Sequence, residues 1–294
     1  MMRDNTNMLV EEALTLAGKM LGDRREGQYL VAAFLGVGLA DLSAHPERTV
    51  IDESGFRLWL KERTEGKPLA YLSNRRDFYG RTFYLDERVL IPRPETELLV
   101  EEVISMAQKM YRGDCAIADI GTGSGCIAIT LALELPRARL WATDLSGSAL
   151  EVARRNALDH AVEGRITFLE GDLLDPLPGP VDLLVANLPY VSSAWLAGEL
   201  SLAFEPRQAL DGGKDGTDLL RRLMLLLPSY LRSSGSALLE IGEEQAFLAE
   251  WAQQHMGGTA TVLPDLAGKP RLIRMNGDRL KSVPIHSHKT SLSH

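Results

Sequence analysis

The chain has 294 residues, of which 45% are hydrophobic, and 32 Lys and Arg stand against 40 Asp and Glu, for a formal net charge of −8. This length predicts two domains with enough apolar content for a sizeable core, and the negative charge argues against nonspecific nucleic-acid binding through bulk charge. The apolar runs are too short to span a bilayer or are interrupted by charge, so we expect a cytoplasmic protein that does not enter a membrane.

The N-terminal part reads as a small helical domain, to which we assign residues 1–75. Apolar residues recur there at spacings of three and four, which is typical of amphipathic helices. The predicted helices are 7–21, 27–40 and 52–65. Aromatic and β-branched residues around Gly80 then predict a short β-hairpin, within a linker at 76–93.

The next segment, 89–97, reads Val-Leu-Ile-Pro-Arg-Pro-Glu-Thr-Glu. Two prolines flank Arg93 and bias it away from helix, while Pro94 suits the first turn of a helix predicted over 94–110. Two glutamates fall near the N-terminus of that helix, where the helix dipole favours negative charge.

From residue 115 onward strands and helices alternate, which predicts an α/β fold with a doubly wound sheet over 94–278. The predicted strands are 115–120, 139–144, 165–170, 181–186, 235–241, 259–264 and 270–275. The predicted helices are 124–135, 147–158, 216–231 and 244–256. No helix separates the last two strands, so we expect an antiparallel pair at one edge. Residues 279–294 have little to bury and are predicted to be disordered.

A glycine-rich loop lies between the first strand of this sheet and the following helix, where residues 119–125 read Asp-Ile-Gly-Thr-Gly-Ser-Gly. Glycines at alternate positions let main-chain N–H groups approach a bound molecule closely. Cys126 breaks the dinucleotide-binding spacing, and the Gly-Lys-Ser/Thr of a phosphate-binding Walker loop is missing. The remaining pattern, led by Asp119, resembles motif I of the S-adenosyl-L-methionine (SAM)-dependent methyltransferases. This predicts a seven-stranded, Rossmann-like class I methyltransferase domain.

The loop and the ends of the next strands supply the predicted cofactor-binding residues. The loop contributes Gly121, Thr122, Gly123, Ser124 and Gly125. Asp144 ends the next strand about twenty residues later, where an acid accepts ribose hydroxyl groups; the alternative is the N-cap of the following helix. By the same resemblance Asp172 would face the adenine amino group, with Leu173 beside the ring. The alternative for Asp172 is a solvated loop carboxylate.

A second motif, Asn187-Leu188-Pro189-Tyr190, directly follows the strand predicted at 181–186. It resembles the Asn-Pro-Pro-Tyr motif of methyltransferases that modify planar amide or exocyclic amino nitrogens. Alone, such a tetrapeptide could also be an ordinary turn. Leu188 stands where the motif has proline, so the carbonyl is kept while the fixed φ is lost.

This motif suits a nitrogen whose lone pair is delocalised into a neighbouring carbonyl or ring. Such a nitrogen is a poor nucleophile until its two N–H bonds are held out of plane. The Asn187 side-chain oxygen and the Leu188 main-chain oxygen are the candidate acceptors, and Tyr190 offers a stacking face. Orientation would then supply most of the rate without a strong general base.

Five stretches together resemble the HemK/PrmC family of peptide chain release factor N5-glutamine methyltransferases. They are 66–72, 78–80, 90–97, 119–125 and 205–213, and the likeness runs from about residue 9 to 276. Asn74 stands where the family often has glycine, and Cys115 and Cys126 read as small core residues. No metal site is predicted, since three of the six histidines fall in the C-terminal tail. These are His286, His288 and His294.

The resemblance implies methylation of the glutamine in the Gly-Gly-Gln motif of class I release factors, with S-adenosyl-L-homocysteine as product. It implies that Asn187, Leu188, Pro189 and Tyr190 hold the glutamine, that Asn187 also lines the SAM site, and that the helical domain and hairpin bind the release factor. No direct nucleic-acid binding is expected. Three alternatives stay open: glutamine methylation of ribosomal protein L3, adenine-N6 methylation of nucleic acid, and SAM binding without catalysis.

Overall fold

The computed structural model describes residues 8–278, 280 and 281, so most of the tail predicted at 279–294, with its three histidines, lies outside the described residues. The chain divides into two compact units, Met1–Arg75 and Arg76–His294. The further division of the second unit into a linker at 76–93 and a domain at 94–278 stays a prediction. Across the described ranges, no helix has the length and apolarity to cross a membrane, and no cluster of three His, Cys, Asp or Glu could hold a metal ion.

The first unit is helical. Its helices are α1 (Val10–Leu21), α2 (Arg24–Leu35), α3 (Leu39–Ala44), α4 (Glu53–Thr64) and α5 (Leu69–Ser73). Their apolar faces form one core around the fully buried Leu30, Phe56 and Leu60. The extent predicted for the second helix, 27–40, is wrong. The helix begins three residues earlier, at Arg24, where Asp23 is its N-cap. Gly36 ends it by taking a left-handed φ of 67°, and its N–H donates to the carbonyls of Ala32 and Ala33.

Asn74, which stands where the family often has glycine, still ends α5. Asn74 takes a left-handed φ of 52°, and its main-chain N–H donates to the carbonyl of Ala70. Asparagine tolerates this conformation better than most residues with a Cβ, so it can stand where the family often has glycine.

The predicted hairpin begins at the boundary between the units, and all of it but Arg75 belongs to the second unit. It is β1 (Arg75–Phe78) paired with β2 (Arg81–Tyr84). Phe78 and Phe83 are buried and meet edge to face, with ring centroids 6.2 Å apart. The main-chain N–H of Tyr79 donates to the Glu97 carboxylate at 2.8 Å, which ties the hairpin turn to the start of the following helix.

A seven-stranded sheet forms the centre of this unit. Its strands are β3 (Ala116–Ile120), β4 (Arg139–Asp144), β5 (Ile166–Glu170), β6 (Val181–Ala186), β7 (Leu231–Glu240), β8 (Ala260–Pro264) and β9 (Pro270–Asn276). The order is β5-β4-β3-β6-β7-β9-β8. The first five strands in this order are parallel, whereas β9 runs antiparallel to both of its neighbours. The doubly wound class I methyltransferase fold and the antiparallel edge pair are thus confirmed.

Helices cover both faces of the sheet. They are α6 (Thr96–Tyr111), α7 (Cys126–Glu134), α8 (Gly147–Asp159), α10 (Asp218–Tyr230) and α11 (Phe247–Met256), while the short α9 (Ser193–Leu196) has no buried residue. Successive residues of β3 enter opposite cores, Ile117 on one face and Ala118 on the other, as strand geometry requires. The strand order reverses at β3, whose neighbours are β4 and β6, and this reversal opens a crevice at the carboxyl ends of the three strands.

The two cysteines are free and buried, as expected for small core residues. Burial raises the pKa of the Cys115 thiol to about 11 and that of the Cys126 thiol to about 12. Both thiols therefore stay protonated near neutral pH and are poor nucleophiles.

Candidate active site

A cavity of about 310 Å³ lies at the carboxyl ends of β3, β4 and β6. Most of the predicted site residues line it. They are Gly121, Thr122, Gly123, Ser124, Asp144, Asp172, Leu173, Asn187, Leu188 and Pro189. Gly125 and Tyr190 lie outside this lining. The cavity walls also include residues that the sequence did not single out for the site, among them Arg88, Thr96 and Gln208.

The glycine loop needs glycine for conformation. Gly121, Gly123 and Gly125 all have left-handed φ angles, of 72°, 54° and 80°. A Cβ added to Gly123 would meet no atom within 4 Å, so this part of the main chain faces open space and a ligand can approach it closely. Gly125 instead directly precedes α7 and packs against Ala153, which explains its place outside the lining.

A buried carboxylate sets the shape of this loop. One oxygen of Asp119 accepts from the Thr122 hydroxyl at 2.6 Å and from the Ala128 N–H at 3.2 Å, while its other oxygen has no partner among the described residues. Burial raises the pKa of Asp119 from 3.8 to about 7. Asp119 thus holds the loop against α7 from beneath the cavity.

Asp144 fixes the loop from the neighbouring strand. Its two carboxylate oxygens accept from the N–H groups of Gly123 and Ser146, both at 2.9 Å. The N-cap of α8 is Ser146, whose hydroxyl accepts from the Ala149 N–H, so the alternative interpretation of Asp144 as that N-cap is wrong. Burial raises the pKa of Asp144, and its two main-chain donors oppose this shift.

The loop after β5 contributes Asp172 and Leu173. The Asp172 carboxylate accepts from the Arg222 guanidinium at 2.6 Å, which engages one of its oxygens. Leu173 has a left-handed φ of 49°, a conformation that costs about 1–2 kcal/mol for a residue with a Cβ. The Thr143 hydroxyl donates to the Leu173 carbonyl at 3.0 Å and so helps to hold this strained main chain at the cavity wall.

The side chain of Asn187 is oriented by Thr96. Its amide nitrogen donates to the Thr96 hydroxyl oxygen at 3.0 Å. No described residue donates a hydrogen bond to the Asn187 side-chain oxygen or to the Leu188 main-chain oxygen. Both acceptors predicted from the sequence are therefore free, and both residues line the cavity.

Behind this motif lies Glu240, the last residue of β7 and only 2% exposed. Its carboxylate accepts from the Tyr190 hydroxyl at 3.4 Å, while no group in the described part of the chain bonds to its second oxygen. Burial raises the pKa of Glu240 to about 7 and that of Tyr190 to about 12. The Tyr190 hydroxyl contacts Glu240, and Tyr190 does not line the cavity. Stacking of the Tyr190 ring on a substrate therefore stays a prediction.

Packing of Leu188 replaces the restriction that proline would give. Leu188 is 4% exposed and belongs to the core cluster that contains Ile120 and Leu173. Its side chain lies against Gly121, where a Cβ would come within 2.9 Å of Leu188 Cδ2. Pro189 also restricts Leu188 to extended conformations. The packing of the Leu188 side chain and the restriction from Pro189 together fix the position of the Leu188 carbonyl.

Sequence reasoning missed Thr96 and Glu240. The available signal for Glu240 was a charged residue directly after three buried apolar positions, 237–239. A further buried carboxylate, Glu205, accepts from the Arg93 guanidinium and from the Ile91 N–H. This pair joins the proline-rich segment at 89–97 to the chain that carries Pro206, Gln208 and Ala209 to the cavity.

Comparison with known proteins identifies the family. Residues 94–204 match the family model described as methyltransferase small domain. Release factor glutamine methyltransferase from Moorella thermoacetica is 40% identical over 261 residues, covering 87% of this chain and 92% of the relative. The enzyme of the same name from Chlorobaculum tepidum is 42% identical over 235 residues, covering 76% and 80%. The chain belongs to the release factor glutamine methyltransferase family.

The family assignment confirms the resemblance to HemK/PrmC proteins. Among solved structures, the Thermus thermophilus 16S rRNA N2 G1207 methyltransferase in complex with AdoMet and guanosine matches with a TM-score of 0.51 and 14% identity. That match covers 69% of this chain and 49% of the other chain, and at this identity it supports the fold alone.

We expect Leu188→Ala to lower the melting temperature of this family member by about 5 °C or more. Removing a buried leucine side chain costs about 2–5 kcal/mol, and 1 kcal/mol is worth about 2–4 °C in a unit of this size. Calorimetry checks this, with Leu158→Ala as the matched control, since Leu158 is 63% exposed on α8. Equal melting temperatures for the two variants would show that Leu188 does not anchor the loop.

Proposed function

We propose that this chain transfers a methyl group from S-adenosyl-L-methionine to the side-chain amide nitrogen of the glutamine in the Gly-Gly-Gln motif of class I peptide chain release factors. The observation that carries the proposal is the pair of free acceptors at the cavity, the Asn187 side-chain oxygen and the Leu188 carbonyl. The names of the two relatives support the choice of substrate.

The residues at the cavity fit the proposed cofactor. The volume of about 310 Å³ is within the range of small-molecule sites, and the main chain at Gly123 is open to a ligand. We assign the cofactor to Gly121, Thr122, Gly123, Ser124, Asp144, Asp172, Leu173 and Asn187, with Gly125 shaping the loop. Asp144 keeps acceptor capacity for ribose hydroxyls, since each of its oxygens has further lone pairs. When bound, SAM supplies an electrophilic methyl group, and S-adenosyl-L-homocysteine is the product.

The two acceptors prepare the substrate nitrogen for attack. A glutamine amide has two N–H donors, and one can bond to the Asn187 oxygen while the other bonds to the Leu188 carbonyl. When both N–H bonds are held on one side, out of the amide plane, the nitrogen lone pair is no longer delocalised into the carbonyl of the same amide. The nitrogen then loses its proton after transfer, when it is cationic and acidic, so no strong general base has to contact it. Orientation supplies most of the rate.

The charge of the chain favours a protein substrate over nucleic acid. With a net charge of −8, the chain lacks the bulk positive charge that supplies most nonspecific affinity for phosphates. Release factors act at ribosomes, so the proposed substrate places the enzyme in the cytoplasm.

Transfer of labelled methyl groups from SAM tests the substrate. We expect label on a purified class I release factor and none on the same protein with its Gly-Gly-Gln glutamine changed to glutamate. Ribosomal protein L3 and duplex DNA are the comparison substrates. Label found only on L3 or only on DNA would replace the proposed substrate with that alternative.

We expect Asn187→Ala to lower the rate constant of methyl transfer by about two orders of magnitude or more while SAM affinity stays nearly unchanged. The reason is that the variant removes an orienting contact to the reacting nitrogen. Calorimetry gives the SAM affinity and single-turnover kinetics give the rate. Equal losses in both would show that Asn187 acts mainly through the cofactor and not by orienting the substrate nitrogen.

We expect Asp144→Ala to weaken SAM binding by roughly tenfold or more, because charge-assisted hydrogen bonds contribute about 1.5–3 kcal/mol each. Asp144→Asn is the matched control, since its side-chain oxygen can still accept from the loop. The loss expected for Asn is smaller than for Ala. Unchanged SAM affinity in the alanine variant, measured by calorimetry, would remove Asp144 from the cofactor site.

A further inference from the structure

Asn156 is a buried residue of α8, only 1% exposed, whose side chain contacts both the hairpin and the glycine loop. Its side-chain oxygen accepts from the main-chain N–H of Tyr84 at 2.7 Å, and its amide nitrogen donates to the Tyr84 carbonyl at 3.0 Å. The same nitrogen donates to the Ser124 carbonyl at 2.8 Å. One side-chain amide therefore joins the last residue of β2 to the loop predicted to bind the cofactor.

The main chain determines which end of this amide faces which partner. A main-chain N–H can only donate and a main-chain carbonyl can only accept, so the Asn156 oxygen must face the Tyr84 N–H. Both N–H bonds of the Asn156 nitrogen are then directed to carbonyls, one of Tyr84 and one of Ser124. None of these three hydrogen bonds involves a titratable group, so the protonation state of the protein does not change them.

The Ser124 carbonyl bonds to Asn156 because the helix that follows does not use it. In an α-helix each N–H donates to the carbonyl four residues earlier, which would pair Ala128 with Ser124. The Ala128 N–H instead donates to the buried Asp119 carboxylate at 3.2 Å. Asn156 takes the place of that helical donor at the Ser124 carbonyl.

This hydrogen bond restricts the conformation of the glycine loop. The Ser124 carbonyl and the Gly125 N–H belong to one planar peptide unit and point in opposite directions. The Gly125 N–H donates to the Thr122 carbonyl at 2.8 Å, so hydrogen bonds hold this peptide plane on both sides. The plane directly follows Gly123, where the main chain is open to a ligand.

We propose that Asn156 is a positioning residue for cofactor binding, which holds the glycine loop in the conformation that binds SAM. The inference rests on the proposed function, in which this loop binds the cofactor. Asn156 does not line the cavity, so it acts through the Ser124 carbonyl. Because its other two hydrogen bonds go to Tyr84, strand β2 supports the loop as well.

Asn156→Asp tests the inference with almost no change in shape. The aspartate can still accept from the Tyr84 N–H, but it has no NH₂ group, and even a protonated carboxyl has one proton for two carbonyls. We expect SAM affinity to fall about tenfold or more, measured by calorimetry well below the melting temperature of the variant. Asn156→Ala removes the same donors without burying a charge, and we expect it also to weaken SAM binding.

His160→Ala is the matched control, because His160 also joins the end of α8 to the hairpin. Its ring lies 4.8 Å from that of Phe83, and its Nε2 donates to the Thr82 carbonyl at 3.1 Å. Among the described residues, it has no hydrogen bond to the glycine loop. We expect a lower melting temperature for this control and the SAM affinity of the wild type.

The rate of methyl transfer separates positioning of the loop from a general loss of structure. At saturating SAM we expect kcat of the Asn156 variants to fall by about threefold or less, since the motif at 187–190 is unchanged. A loss of kcat without a loss of SAM affinity would overturn the inference. So would unchanged SAM affinity in either Asn156 variant, or a loss of affinity in His160→Ala as large as in these variants.

The wild-type enzyme distinguishes failure of the inference from failure of the proposed function. A wild-type protein that does not bind SAM contradicts the proposed function, and the inference fails with it. Normal wild-type binding together with unchanged affinity in the Asn156 variants contradicts the positioning role alone.

Discussion

The hydrogen bond from Asn187 to Thr96 is the contact on which the candidate site depends. It joins the end of β6 to the start of α6 and leaves the Asn187 oxygen free. The segment that contains Thr96 makes two further long-range contacts, since Arg93 pairs with the buried Glu205 and Glu97 accepts from the hairpin turn. The proline-rich segment at 89–97 thus connects the hairpin, the motif at 187–190 and a wall of the cavity. Arg93, Thr96 and Glu97 each contact a different part of this unit.

Much of the fold could be predicted because its central strands, β3 and β6, are short, fully buried runs bounded by turn residues. β4 and β6 have the predicted bounds, and β3 starts one residue later than predicted. The helix predicted at 27–40 was wrong for a physical reason. Apolar residues continue past Gly36, so periodicity alone does not show that the glycine takes a left-handed conformation and ends the helix. Local pattern predicts an element well where burial is continuous, and less well where a single main-chain angle ends it.

The candidate site likewise contains residues that the sequence predicted and residues that it missed. The glycine loop, Asp144 and Asn187 each follow a strand, and the carboxyl ends of parallel strands meet at one edge, so spacing along the chain was enough to bring them together. Thr96 and Glu240 could not be found this way. Their places beside Asn187 and Tyr190 depend on β7 lying next to β6 and on α6 starting beside both strand ends. Asn187 and Thr96 are 91 residues apart along the chain, and Tyr190 and Glu240 are 50 residues apart. These contacts can therefore be found only when the neighbours of each strand are known.

Leu188 shows how the same acceptor geometry can be held by different means. Proline would restrict the main chain through its own ring, a local constraint that needs no neighbours. Leucine restricts it through burial, with its side chain against Gly121 and among the core residues between the sheet and α10. The position of the Leu188 carbonyl therefore depends on the packing of that core, and Gly121 contacts the motif at 187–190 as well as belonging to the loop predicted to bind the cofactor. In this chain the loop predicted to bind the cofactor and the motif predicted to bind the substrate are in direct contact, so a change in one of them alters the support of the other.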